Sequence, residues 1–142
     1  MPPEVVTLHR YFIWANQMRA NADEVLPLLA GPTALESEGF IKWFAYLSYW
    51  YGGLYVLIGG WVELSLADPT VDALLQRADL VGLLKRYRNG SFHFQKQYFD
   101  DRFTAFMQEQ DSVPWVRELN LAFGEYFLRR IREERTPTAH AS

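Results

Sequence analysis

The run Arg88-Asn89-Gly90-Ser91-Phe92-His93 places a guanidinium, a carboxamide and an imidazole within six residues. On a helix that turns about 100° per residue, Asn89 and His93 form an i,i+4 pair and nearly eclipse one another. Arg88 has a long stem that can swing its charged head towards them. The spacing therefore predicts three groups converging on a spot the size of one anion. Lys85, Arg86 and Lys96 flank the run with no acid interposed, and they are the expected supporting contacts to phosphate.

These side-chain types suit one reaction in particular. RNA carries its own nucleophile, the 2′-hydroxyl, beside the scissile phosphate. A catalyst then needs a group that moves protons and a cation for the charge growing on phosphorus. An imidazole, which ordinarily titrates near pH 6.5, does the first. A guanidinium, a planar fork matched to phosphate, does the second. Asn89 is expected to orient one of them. The expected products are a 2′,3′-cyclic phosphate and a 5′-hydroxyl, formed without metal or cofactor.

Arg-Asn-x-x-x-His resembles the Arg-(four to six residues)-His signature of the HEPN superfamily, in which a polar residue, often Asn, follows the Arg. The resemblance covers these six residues. It implies an all-helical, usually dimeric protein and a metal-independent endoribonuclease of toxin–antitoxin, phage-defence or RNA-processing type. It also implies a composite site, with the motif of each subunit facing the other. RNA, a second copy of the chain and an antitoxin protein are the partners that follow, with no DNA and no membrane. Family members often add an acidic or polar residue from a preceding helix, for which Glu63 is the candidate by order. The alternative reading is a non-catalytic helical bundle that binds a protein, a nucleotide or a phosphate, with His93 at a helix–helix interface bonded to Asn89.

Other chemistries find little support. Helix-bundle metal sites want Glu-x-x-His or several histidines at helical spacing, and Glu36, Glu38 and Glu63 have no such histidine near them. Gly52-Gly53 and Gly59-Gly60 lack the Lys-Ser/Thr of a phosphate-binding loop. No serine has an elbow motif around it. The absence of cysteine excludes disulfides, thiolate metal sites and cysteine nucleophiles. A net charge of −3 argues against a protein that coats nucleic acid unspecifically. Met1-Pro2-Pro3-Glu4 lacks the basic and apolar regions of a signal peptide, so a cytoplasmic setting is expected.

The elements that must position the motif are helical. At 142 residues, 49% hydrophobic, the chain is read as one domain over 1–135 with a disordered tail over 136–142. Apolar residues at 3-and-4 spacing predict long helices near 3–25, 37–66, 80–98 and 113–134, and shorter ones near 69–77 and 102–110. Gly31-Pro32-Thr33 reads as a turn, Asp68-Pro69 as a helix start, and Asp79 and Asp111-Ser112 as caps. The expected fold is all-α, an antiparallel four-helix-type bundle with short additional helices.

Two details bear on the site. Trp43 to Val62 is twenty residues without Asp, Glu, Lys or Arg, yet its scattered tyrosines and four glycines suit a central helix of a bundle better than a membrane span. Ala45, Gly52 and Gly59 are seven apart, which reads either as close packing within the chain or as a dimer seam. In the helix near 80–98, Leu80, Leu84, Tyr87, Ser91, Phe94 and Tyr98 form the expected buried stripe, leaving Arg88, Asn89 and His93 beside or opposite it. His9 is read as a boundary histidine. Arg129, Arg130, Arg132 and Arg135 are read as a solvated helix end.

Overall fold

The computed structural model describes residues 1–29 and 37–136. The expected turn at Gly31-Pro32-Thr33, Glu36 and the expected tail beyond Thr136 lie outside the described residues. Among those described the protein is helical throughout: α1 (Pro3–Val25), α2 (Glu38–Glu63), α3 (Pro69–Leu75), α4 (Ala78–Phe92), α5 (Asp101–Gln108) and α6 (Ser112–Arg135). A single 3-10 turn, Leu26–Leu29, follows α1 at the position of Pro27.

Local chemistry explains most of the boundaries. Pro3 opens α1 where its missing N–H costs nothing. Ser37 caps α2 by accepting from the Phe40 amide at 3.2 Å. Asp68 caps α3, accepting from Thr70 and Val71 at 3.1 and 3.0 Å, and Asp100 caps α5 through Arg102 at 3.0 Å. α2 closes through Ser65, which takes the left-handed conformation at φ 52°, with Leu66 bonded back to Trp61. Two expected caps are replaced. Asp79 lies inside the first turn of α4, where its carboxylate binds Arg77, and the Asp111 carboxylate also takes Arg77 instead of capping α6.

α2 is the central element. α1 runs antiparallel to it: a Cβ at Gly53 would lie 2.9 Å from the Ala15 Cβ, and one at Gly60 would lie 2.4 Å from Leu8. α6 runs parallel to α2 and antiparallel to α1. Trp50 of α2 donates its indole N–H to Asn120 Oδ1 at 2.9 Å, and Asn120 Nδ2 donates to Asn16 Oδ1 at 3.1 Å. This chain of bonds satisfies a buried carboxamide and locks α1, α2 and α6 in one register. Beyond it, Arg117 of α6 binds Asp23 of α1 at 2.7 Å, which holds the Asp23 carboxyl below its ordinary range. α4 joins α2 through Tyr87, whose hydroxyl meets Ser48 Oγ at 3.1 Å, and α5 closes over both with Phe103 and Phe106. No described helix is long and apolar enough to cross a membrane.

Three of the four glycines between Trp43 and Val62 serve packing within the chain. Gly53 and Gly60 admit α1, and Gly52 admits the ring of Phe92 from α4, while nothing lies within 4 Å of a Cβ at Gly59. The contrast makes a direct test. Gly53→Ala should lose stability by about 1–2 kcal/mol, because overpacking against a backbone-proximal methyl outweighs the gain in helix propensity. Gly59→Ala should gain up to about 1 kcal/mol. Urea melts of the two variants check the pair, and equal shifts would refute the close approach of α1 to α2.

Candidate functional site

α4 ends at Phe92, well short of the expected boundary near 98. Gly90 has weak helix propensity, and its missing Cβ allows α5 to pass close: a Cβ there would meet Arg102 Cβ and the Phe103 ring at 3.2 Å. The chain must reverse within a few residues to bring α5 across this point. His93 is therefore the last capping residue of α4, in extended conformation at φ −122° and ψ 132°. Its N–H still closes the final turn on Asn89 O at 3.1 Å. Its side chain, however, leaves the helical direction, so the expected eclipse of Asn89 and His93 is not formed. The expected buried stripe fails at the same place. Leu80, Leu84 and Tyr87 are buried, but Phe94 is 92% exposed and Tyr98 56% exposed.

Arg88 and Asn89 do come together. Arg88 Nη1 donates to Asn89 Oδ1 at 3.1 Å, and Arg88 Nε is buried without a hydrogen-bond partner among the described residues. The carboxamide thus fixes the plane of the guanidinium. His93 is exposed, and among the described residues no hydrogen bond reaches its imidazole; only its backbone is engaged, the N–H donating to Asn89 O and the carbonyl accepting from Gln95 at 3.0 Å. Within one chain the structure joins Arg88 to Asn89 and leaves His93 separate, one turn further along. Lys85, Arg86 and Lys96 are all exposed. Glu63 lies elsewhere, in a groove between α1 and the end of α2 with Glu4, Thr7 and Tyr11.

His93 borders an open cleft of about 500 Å³ between the N-terminal half of α2, the end of α4 and the 93–98 connection. Arg88 and Asn89 do not line it. Its walls carry Tyr49 and Phe92, in edge-to-face contact at 5.5 Å, and Tyr98, braced against Phe44 at 5.7 Å. Ser48, Ser91, Gln95 and Gln97 add polar atoms. These aromatic residues escape a sequence reading, because Tyr98 at helical spacing reads as core and Tyr49 reads as one tyrosine among several on α2. The available signal was the run of low-propensity residues after Gly90, which argues for an early helix end. Ser48 and Tyr87 are not free to react: they bond to each other, and burial pushes the Tyr87 phenol above its ordinary range.

The remaining polar clusters are structural. Arg129 pairs with the buried Asp68 carboxylate, and Arg130 donates to Tyr126 Oη at 2.9 Å, so half of the arginine-rich end of α6 is engaged. Among the described residues, no group of three or more His, Asp or Glu is arranged to hold a metal ion. No protein-family model, no curated protein and no solved structure matches this chain.

His9 gives a pH prediction. It sits half-buried on α1 with its ring 5.0 Å from Phe127, and burial lowers its pKa. The folded state therefore prefers the neutral ring, and the unfolded chain binds more protons as pH falls through the ordinary value near 6.5. Stability contributed by His9 is present above that pH and is lost below it, towards its lower folded pKa. Melting temperatures measured from pH 7.5 to 5 should show a step in the wild type that His9→Phe lacks, and parallel curves would refute the assignment.

Proposed function

We propose that this protein is a HEPN-like, metal-independent endoribonuclease whose Arg88, Asn89 and His93 act from a homodimer. The observation that carries the reading is the state of the motif: Asn89 orients Arg88, and the His93 imidazole is exposed and, among the described residues, unbonded one turn away. Two copies meeting at the ends of their α4 helices would bring two imidazoles and two guanidinium groups to one phosphate. One imidazole takes the proton of the 2′-hydroxyl as that oxygen bonds to phosphorus. The imidazole of the second copy gives a proton to the departing 5′-oxygen. Arg88 balances charge on the non-bridging oxygens, and Lys85, Arg86 and Lys96 hold neighbouring phosphates. In this reading α1, α2, α4 and α6 are the four-helix scaffold, with α1 antiparallel to α2 and to α6. The setting is cytoplasmic, with an antitoxin protein as a further partner if the role is that of a toxin. Glu63 has no part in it.

The second reading, a non-catalytic module that binds a protein or a phosphate-bearing ligand, is favoured by the separation of Arg88 from the cleft beside His93. Incubation of a mixed RNA pool with the protein in EDTA separates the two. Wild type should give cyclic-phosphate ends. His93→Ala should lower the rate by about 10²–10⁴-fold, and Arg88→Ala by about 10²–10³-fold, with circular dichroism showing both variants folded. Sedimentation should find a dimer at the protein concentration used. No cleavage by wild type, or equal cleavage by wild type and His93→Ala, defeats the nuclease reading and leaves the binding module.

A further inference from the structure

We propose that the cleft beside His93 is a nucleobase subsite, which takes one unstacked base of a single-stranded nucleic acid between Tyr49 and Tyr98. The inference rests on the reading above for its location next to a reacting phosphate, but the binding it describes stands without cleavage.

Three independent observations carry it. The first is shape and lining. At about 500 Å³ the cleft lies within the roughly 300–1,000 Å³ range of small-ligand sites, and it has the mixed wall such sites have. Aromatic rings supply the apolar area, and the amide of Gln97 and the phenols of Tyr49 and Tyr98 supply polar atoms that bond to nothing among the described residues. Amides and hydroxyls of this kind match the donor and acceptor edges of a base.

The second is the exposure of the rings. Tyr49 is 57% exposed and Tyr98 56% exposed, two of only six exposed rings among the chain's 23 aromatic residues, all of which are among the described residues. Each is braced by an edge-to-face neighbour: Tyr49 by Phe92 at 5.5 Å and 74°, Tyr98 by Phe44 at 5.7 Å and 69°. A ring held in orientation with its surface open to solvent is a stacking platform.

The third is charge. Between Asp79 and Asp100 the chain carries Lys85, Arg86, Arg88 and Lys96 and no acid, against a net charge of −3 overall. The basic stretch brackets the cleft residues contributed by the end of α4 and the loop after it. None of the four lines the cleft itself, but they lie within a few residues along the chain of those that do, so a polyanion would be drawn to this end of α4. A protein partner would be served by the aromatic surface alone, whereas rings beside a basic stretch suit a strand of bases on a phosphate backbone.

The subsite predicts a conformational preference. A duplex has a higher charge density than a single strand, so phosphate attraction alone favours the duplex. Stacking on Tyr49 and Tyr98 requires a base whose faces are free, and so favours the single strand.

The test uses the full chain with a single-stranded DNA 12-mer containing 2-aminopurine, which lacks the 2′-hydroxyl and is not consumed by the proposed reaction. Fluorescence should change on binding, and the matching duplex should bind at least about tenfold more weakly. Tyr49→Ala and Tyr98→Ala should each weaken single-strand binding by roughly 5- to 100-fold. Both residues are more than half exposed, so thermal melts should stay close to wild type. Equal or tighter binding of the duplex, unchanged affinity in both tyrosine variants, or no binding overturns the proposal and returns the aromatic surface to a protein partner. The two readings fail separately. Tyrosine-dependent binding without RNA cleavage keeps the subsite and removes the nuclease, whereas cleavage with wild-type single-strand binding in the tyrosine variants does the reverse.

Discussion

Every other helix has at least one side-chain contact with α2. That helix has no charged side chain from Trp43 to Val62, so nearly all its circumference gains by leaving water, at roughly 25 cal/mol per Å² of apolar surface. The contacts that cover it are each specific. Gly53 and Gly60 admit the α1 backbone, Trp50 reaches Asn120 of α6, and Trp61 donates to Asp72 of α3 at 3.0 Å. Ser48 and Tyr51 meet Tyr87 of α4, and Tyr51 also meets Phe106 of α5. The buried carboxamide of Asn120 is affordable because both ends of it are bonded, and its directionality fixes a register that apolar packing alone leaves loose.

The candidate site is a consequence of where that covering stops. The outer side of the N-terminal half of α2 is exposed at Ala45 and Tyr49, with no helix over it among the described residues. Phe92, the last residue of α4, fills the vacancy at Gly52: a Cβ there would stand 2.5 Å from its ring. A large side chain at 52 would displace Phe92, and with it the residue that follows, His93. Gly52 therefore acts on the site through packing within the chain, where its heptad spacing from Ala45 and Gly59 also allowed a seam between chains. Ala45, exposed, and Gly59, facing open space, are the members of that series still available to a partner.

Electrostatics divides the molecule in the same way. Three aspartates at or beside helix ends are occupied by arginines: Asp23 by Arg19 and Arg117, Asp68 by Arg129, Asp111 by Arg77. These pairs hold the frame, and the exposed ones add little stability individually. The cations near the end of α4 have no such partner, a state that Arg10, Arg130, Arg132 and Arg135 share among the described residues. Lys85, Arg86 and Lys96 are exposed without an ion pair among the described residues, and Arg88 is bonded to an amide, which leaves its charge uncompensated.

The sequence by itself determined the all-helical class, the extent of α1, the helix start at Asp68-Pro69, and the presence of a guanidinium, an amide and an imidazole in six residues. Those features are local: periodicity, propensity and capping act within a few residues and are legible without a partner. Only the tertiary structure decided that α4 stops at Phe92, that His93 turns out of the helix, and that Tyr98 and Phe94 are surface residues. A 3-and-4 pattern shows that one face of a segment is apolar but not where the segment must turn. The turn was set by α5 crossing at Gly90 and by Phe92 docking on Gly52, two contacts whose partners lie distant in sequence or beyond the helix end. Tyr49 was hidden for the same reason: exposure belongs to what fails to cover a residue, and that is a property of the assembled helices.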